Sequence, residues 1–165
     1  MYEPKYYPQL TETLHVFSDM RFLVTHTKRY RRFDDSNTDP LHVHNYLEIF
    51  LNVSSDVSFL VNNSLYPVGA GDVVVSRPGD IHKGVFHKSQ VVENVCLWID
   101  ADFHSAPFSF LWKKEFCVLL SFSEEEKQRF QSLIFSLIDA CKNNSSELEK
   151  ASHLLQILTM LAWRP

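Results

Sequence analysis

Three shortages narrow the field before any motif is read. No apolar run approaches the roughly 18 residues that a membrane-spanning helix needs, and the N-terminus, Met1-Tyr2-Glu3-Pro4-Lys5, has no apolar signal core. Cysteine is scarce: Cys96, Cys117 and Cys141 are odd in number and far apart, with no CxxC pair, and each sits in an apolar stretch. Buried free thiols in a reducing cytoplasm are the expectation, not a disulfide framework. Positive charge is also in deficit. Sixteen Lys and Arg against twenty Asp and Glu leave a formal charge of −4, whereas a domain that grips nucleic acid carries a concentrated positive surface. The only dense basic patch, Lys28-Arg29-Tyr30-Arg31-Arg32, reads as a solvated loop between strands, so direct nucleic-acid binding by this chain is not expected. Internal repeats, low-complexity tracts, a nucleophile elbow and a Gly-rich phosphate loop are all missing.

What remains is a chain of 165 residues, 45% hydrophobic and 22% charged, with thirteen Phe, six Tyr and three Trp to fill a core. That suits one globular domain, or one domain with an appendage. Residues 1–15 are Tyr- and Pro-rich, with Pro4 and Pro8 opposing regular structure, and read as an arm. Residues 16–110 read as a barrel of short strands: Met20 to Thr27, His42 to Val53, Val57 to Val61, Leu65 to Val68, Val73 to Ser76 and Val91 to Ile99. The polar break Asp34 to Pro40, Ser54-Ser55-Asp56, Asn62-Asn63, Gly69 to Asp72 and Arg77 to Asp80 supply the turns. Asn tolerates the left-handed backbone that a two-residue hairpin requires. Strands this short and this often interrupted indicate a sandwich or barrel.

The pattern changes at Ser123. Ser123-Glu124-Glu125-Glu126 is a capping box with acidic residues at the positive end of a helix dipole. Phe130, Leu133, Ile134, Leu137, Ile138 and Cys141 follow at helical spacing, and Asn143-Asn144 ends the run. Ser146 and Glu149 repeat the cap, and Leu148, Ala151, Leu154, Leu155, Ile157, Leu158 and Leu161 form a second apolar stripe. Residues 123–162 therefore predict an antiparallel helical pair, packed on the barrel and available as a dimerisation element. The chain stops at Trp163-Arg164-Pro165 without a polar tail, which reads as a cut in a longer protein.

One stretch carries chemistry. If His42-Val43-His44-Asn45-Tyr46-Leu47-Glu48 is a strand, then His42, His44, Tyr46, Glu48 and Phe50 share a face and Val43, Asn45, Leu47, Ile49 and Leu51 the other. Polar groups aligned inside an apolar strand cost a few kcal/mol each when buried without partners, so a pocket, a metal or a ligand must satisfy them. The turn Pro78-Gly79 brings His82 back towards the same place. Three imidazoles and a carboxylate make a plausible set for a first-row transition metal with positions left open. Trp98, alternating with Cys96 and Asn94, is expected in a pocket wall. Arg77 reads as an exposed turn residue. His15, His26, His87, His104 and His153 have no such company and read as surface or structural histidines.

These residues resemble a known family. His42-x-His44-x-x-x-Glu48, Gly71-Asp72 and Pro78-Gly79-x-x-His82 are similar to the two motifs of the cupin superfamily. His44 to Phe50, Tyr66 to Asp72 and Arg77 to His82 together resemble the N-terminal effector-binding domain of AraC-type transcriptional regulators, specifically over residues 40–100 and in layout to 162. Ser54-Ser55-Asp56 stands where the first motif usually has a Gly, and no Asn follows His82 as in the second. The resemblance implies an all-β cupin (double-stranded β-helix, jelly-roll) barrel with a C-terminal antiparallel pair of α-helices. It implies a sensor rather than an enzyme, binding a small polar effector such as a sugar through His42, His44, Tyr46, Glu48, His82 and Trp98. A homodimer is implied, with DNA contacted only through a C-terminal domain that these residues do not include. The alternative is a stand-alone metal-dependent cupin oxygenase or isomerase, with Zn, Fe, Mn or Ni on His42, His44, Glu48 and His82. No membrane association is expected.

Overall fold

The computed structural model describes residues 5–6, 9–17, 19–31, 40–54, 56–100, 106–113 and 118–162. Pro4, Pro8, Arg32, the polar break at 34–39, His104, Cys117 and the terminal 163–165 lie outside the described residues. Among the described residues ten strands and two helices follow in order: β1 Lys5–Tyr6, β2 Leu10–Leu14, β3 Met20–Arg31, β4 Tyr46–Ser54, β5 Val57–Val61, β6 Ser64–Val68, β7 Val73–Ser76, β8 His82–Val85, β9 Gln90–Asp100, β10 Leu119–Leu120, α1 Glu124–Lys142 and α2 Glu147–Ala162. Short 3₁₀ turns occupy His15–Phe17 and Ala106–Trp112.

The strands form two antiparallel sheets. One runs β1-β3-β9-β4-β7-β10, with β2 also pairing β3; the other runs β6-β5-β8. The fold is a cupin-type barrel carrying a C-terminal helical pair, its ladder left open between the sheets among the described residues. Alternation along the strands sorts the large sheet into two faces. Phe22 and Val24 of β3, Leu47, Ile49 and Leu51 of β4, and Val95, Leu97 and Ile99 of β9 face outward into one apolar core with Phe130, Ile134 and Leu137 of α1 and Leu154, Leu158 and Leu161 of α2. The opposite face, with Phe50, Val74 and Val92, meets Val57, Phe59, Val61 and Val68 of the small sheet in a second core. Leu47, Ile49 and Leu51 are thus buried beneath the helices, while Val43, further up the chain, is exposed.

The helical signals match their elements closely. Ser123 Oγ accepts from Glu126 N, and Ser123 N donates to Glu126 Oε2 at 2.8 Å; Ser146 Oγ accepts from Glu149 N. Asn143 caps α1 at its C-terminus and Asn144 takes a φ of 50°. Two segments differ from expectation. The 10–14 stretch, inside the region read as an arm, is a strand paired with β3 from Leu10↔Val24 to Leu14↔Met20, and its Glu12 meets the buried Lys150 of α2 at 2.8 Å. The basic patch is not a loop: Lys28 to Arg31 continue β3 against β9 as far as Arg31↔Gln90. Val91 and Val92 of β9 give these residues a ladder partner, and backbone pairing outweighs their charge.

The turn before β7 is fixed by Gly71, whose φ is 81°, and by Lys127 of α1, which reaches Asp72 Oδ1 at 3.1 Å. A Cβ at Gly71 would meet Lys127 carbons at 2.8–3.1 Å, whereas one at Gly79, with φ 86°, would meet nothing within 4 Å. Gly79→Ala is expected to cost about 1 kcal/mol, the left-handed backbone alone. Gly71→Ala adds overpacking and is expected to cost roughly 2–4 kcal/mol. Urea denaturation of the two variants beside the wild type measures the difference.

Candidate functional site

The site begins where β4 loses its neighbours. The β9 ladder against β4 ends at Tyr46↔Asp100 and the β7 ladder at Glu48↔Ser76, so backbone upstream of Tyr46 must find other partners. It takes them from the small sheet. His42 N donates to His82 O at 3.1 Å, His82 N donates back to His42 O at 3.0 Å, and Gly79 N donates to His44 O at 3.1 Å. His42 and His44 are therefore not on the strand on which alternation would place them. An isolated bridge between the sheets, next to the Pro78-Gly79 turn, brings their rings to His82: centroids lie 4.3 Å apart for His42 and His82 and 4.8 Å for His44 and His82.

Glu48 is the centre. It is 4% exposed, and a single oxygen, Oε2, receives the Trp98 indole Nε1 at 2.8 Å, His44 Nε2 at 2.8 Å and His82 Nε2 at 3.2 Å. Trp98 stands directly across from Glu48 in the β4–β9 register, which is why the pair meets. Burial by itself pushes the Glu48 carboxyl up, but the hydrogen bonds from His44, His82 and Trp98 and the charge of His82 outweigh it and hold it at about 2. Burial pushes His82 down, and the Glu48 hydrogen bond and charge, with the Asp80 carbonyl, more than reverse this.

The proton inventory of His82 is informative. Its Nδ1 lies 2.9 Å from the Asp80 carbonyl oxygen, which can only accept, and its Nε2 faces the Glu48 carboxylate. Both acceptors favour a proton on the nitrogen that faces them, so the site favours positive charge on this ring. A divalent metal is the other way to place positive charge between these atoms. His42, His44, Glu48 and His82 each offer a ligand atom within 4.8 Å of the others. His42 Nδ1 and His82 Nδ1 both donate to backbone carbonyls, of Pro40 at 2.8 Å and of Asp80, which fixes the tautomer that leaves Nε2 as a ligand. The donor set fits a first-row divalent metal held by three imidazoles and one carboxylate.

A cavity of about 210 Å³ extends from this cluster between the sheets. Register orders its wall. The Glu48–Trp98 row comes first, the Phe50–Cys96 row next, then Asn94 beside Thr27, with Arg29 beyond, opposite Val92; Phe59 and Gly84 of the small sheet close the other side. Tyr46 is set apart. It is 48% exposed, and it lines a second hollow with Trp98, Arg21, Asp100 and Thr11 of β2. Arg77 is mostly buried rather than an exposed turn residue: it grips Asp80 and donates to the Lys113 carbonyl at 2.8 Å. His15, His26, His87 and His153 do not belong to the cluster, and His26 is buried against Glu93 at 2.9 Å. Arg29 was missed because the basic run was read as a loop, and Thr27, the last residue of the expected first strand, was given no site role; their odd-numbered spacing along β3 was the available signal.

Two facing antiparallel sheets, a helical pair on one face and a histidine–glutamate cluster at one mouth define a cupin-type barrel architecture. A family profile described as AraC-like ligand binding domain matches residues 24–158, and the chain belongs to that family. Among solved structures, the AraC-like transcriptional activator CuxR is similar over 97% of this chain and 58% of its own, with 13% identity and a TM-score of 0.57. This chain therefore spans less than two thirds of that protein's length. A Cupin 2 conserved barrel domain protein from Salinispora arenicola shares 19% identity over 61% of this chain and 78% of its own, with a TM-score of 0.43. Salicylate 1,2-dioxygenase from Pseudoaminobacter salicylatoxidans, in complex with gentisate, shares 18% over 50% of this chain and 22% of its own, with a TM-score of 0.42. At these identities the likeness to CuxR shows the fold alone. No curated protein matches the chain, and no helix among the described residues is long and apolar enough to cross a membrane.

The cluster makes stability pH-dependent in a stated direction. Glu48, lowered to about 2 from an ordinary value of 4.5, contributes stability that is present above 4.5 and lost as pH falls towards 2. His82, raised from 6.5, contributes stability that is full below 6.5 and lost as pH rises through its higher folded value. The difference in unfolding free energy between wild type and a Glu48→Gln variant is expected to peak between pH 4.5 and 6.5 and to shrink on either side. Chemical denaturation across a pH series, with chelator present, measures it.

Proposed function

We propose that this chain is the effector-sensing domain of an AraC-type transcriptional regulator and binds a small polar molecule, a sugar among the candidates, in the cavity between its sheets. The observation that carries this is the buried Glu48, held by Trp98, His44 and His82 at the wall of a cavity inside a domain of the AraC-like ligand binding family. A fixed carboxylate acceptor flanked by indole and imidazole donors suits hydroxyl-bearing ligands. His42, His44, Glu48, His82 and Trp98 form the contact set, with Tyr46 at the mouth. The division into an arm at 1–15, a sensor barrel at 16–110 and a helical pair at 123–162 belongs to the same reading. So do a homodimer built on the helical pair, a cytoplasmic location and DNA contact through a domain outside this chain.

A second reading, a metal-dependent cupin oxygenase or isomerase, is favoured by one observation: the four-donor cluster with two histidine tautomers already set for ligation. Zn, Fe, Mn or Ni bound there would supply a Lewis acid and open coordination positions for substrate. The same cluster also serves a sensor in which the metal only helps to hold the effector.

A thermal-shift screen of small carbohydrates and other polar metabolites, with and without these four metals, separates the readings. The sensor reading expects at least one compound to raise the melting point without being consumed. At a hundredfold excess over its Kd such a compound stabilises by about 2.7 kcal/mol, and Trp98→Phe or Glu48→Gln is expected to weaken it at least tenfold. Stoichiometric metal that disappears in a His42→Ala/His44→Ala double variant, together with turnover of a bound compound, would establish the enzyme instead.

A further inference from the structure

The end of the cavity remote from Glu48 has its own chemistry. Asn94 is 7% exposed and lines the cavity. Its Oδ1 accepts the Thr27 hydroxyl at 2.8 Å, which leaves the amide Nδ2 as a donor without a partner among the described residues. Because Asn94 lines the cavity, that donor is open to whatever occupies it, a place where a ligand acceptor can sit. Arg29 lines the same part of the wall, two residues along β3 from Thr27 on the same face. A guanidinium has five donors in a planar fork, more than one partner can use, and it matches a carboxylate in two-point fashion.

The neighbouring charges reinforce this polarity. Glu48 lies four residues along the paired strands from the Asn94 level, about 13 Å at strand rise, and already accepts three hydrogen bonds. Asp100, at the far edge of the same face, is paired with Arg21 at 2.7 Å. Arg31, further from Glu48 than Arg29, lies over the Phe86 ring at 4.8 Å. The cavity therefore carries an acid at one end and cationic and amide donors at the other, with Phe50 and Phe59 between them. Its volume, below the roughly 300–1,000 Å³ of drug-sized pockets, suits a single small molecule.

Building on the effector-sensing reading, we propose that the effector is a carboxylate: its acid group is held by Arg29 and Asn94, and the rest of the molecule lies along Phe50 and Phe59 towards Glu48. Arg29, Asn94 and, through Asn94, Thr27 are then specificity-determining residues. A neutral sugar would offer neither side chain a charged acceptor.

Calorimetric titration of this chain with matched acid and neutral compounds tests the assignment: galacturonate against galactose, gluconate against glucitol, and salicylate against salicyl alcohol. At least one acid is expected to bind about tenfold or more tightly than its neutral partner, as a charge-assisted contact predicts. Arg29→Gln should reduce that acid's affinity at least tenfold, and Asn94→Asp should reduce it at least as much by replacing the donor with a like charge. Arg29→Lys, which keeps the charge and loses the fork, should fall between; it also decides the matter if Arg29→Gln does not fold. Equal affinity for acid and neutral partners, acid binding that survives Arg29→Gln and Asn94→Asp, or no binding by any acid would overturn the carboxylate assignment. Neutral ligands lost on Trp98→Phe but not on Arg29→Gln would overturn it while leaving the effector-sensing reading intact. Only failure of the wider screen would remove both.

Discussion

The structure turns on one buried oxygen. An ionised carboxylate moved out of water costs several kcal/mol unless it is paired and hydrogen-bonded, and Glu48 meets that cost with three donors on Oε2. Each donor needs support from elsewhere. His82 is oriented by the Asp80 carbonyl, and the Asp80 carboxylate is gripped by Arg77 N at 2.9 Å, Arg77 Nε at 3.0 Å and Asn62 Nδ2 at 2.9 Å. These contacts outweigh the burial of Asp80 and keep its carboxyl below the usual range. Asn62 can serve because it occupies the tight turn between β5 and β6 at a φ of 53°. Ile81 N returns a bond to its Oδ1 at 3.1 Å. Two turns of the small sheet are thus braced together to present one imidazole to a carboxylate on the large sheet.

Alternation along three strands divides structure from recognition. On β3, β4 and β9 the residues facing one way are buried under α1 and α2, and those facing the other way line the cavity. None of these three strands is independent of the helix-facing core: on β9, Val95 sits in that core between the cavity residues Asn94 and Cys96, and Leu97 between Cys96 and Trp98. Close-packed interiors transmit such displacements rather than absorb them. Glu93 extends the connection, since it binds His26 and Lys28 on the outer face, and the His26 ring meets Phe135 of α1 edge-on. On the other flank, Glu12 of β2 and Lys150 of α2 tie the 10–14 strand to the helices, while Thr11 of the same strand faces the hollow shared by Tyr46 and Trp98.

Local signals were legible and long-range ones were not. The capping box at Ser123, the cap at Ser146, the helical stripes and the Asn62 turn depend on residues within four positions of each other, and each can be read from the chain. The company of His42, His44, Glu48 and His82 was also legible, but for an incomplete reason. Periodicity put the two histidines on β4, whereas they are delivered by a bridge to His82 forty positions away, where the β9 ladder has run out. Composition misled at Lys28 to Arg31. A run of charge looks like solvated loop when its partner strand, Gln90 to Glu93, is invisible. Arg29 was lost with it, although the odd positions of β3 hold the face that lines the cavity. The 10–14 strand was hidden by the Pro-rich residues before it, which describe only their own surroundings.

The three donors on Glu48 are not equally constrained, and the difference bears on how the cluster can accommodate a guest. Trp98 is fixed by its place on β9, directly across from Glu48 in the register. His82 is fully buried and locked by the Asp80 carbonyl. His44 precedes β4, its side chain keeps 17% exposure, and its other nitrogen has only a long 3.4 Å contact from Tyr46 N. It is therefore the donor whose withdrawal disturbs least. A ligand hydroxyl, or a metal taking the Nε2 lone pair, can replace its bond to Glu48 while indole and buried imidazole stay in place. The cluster so combines two rigid donors with one adjustable one, the combination that a preorganised site needs if it must still open to admit something.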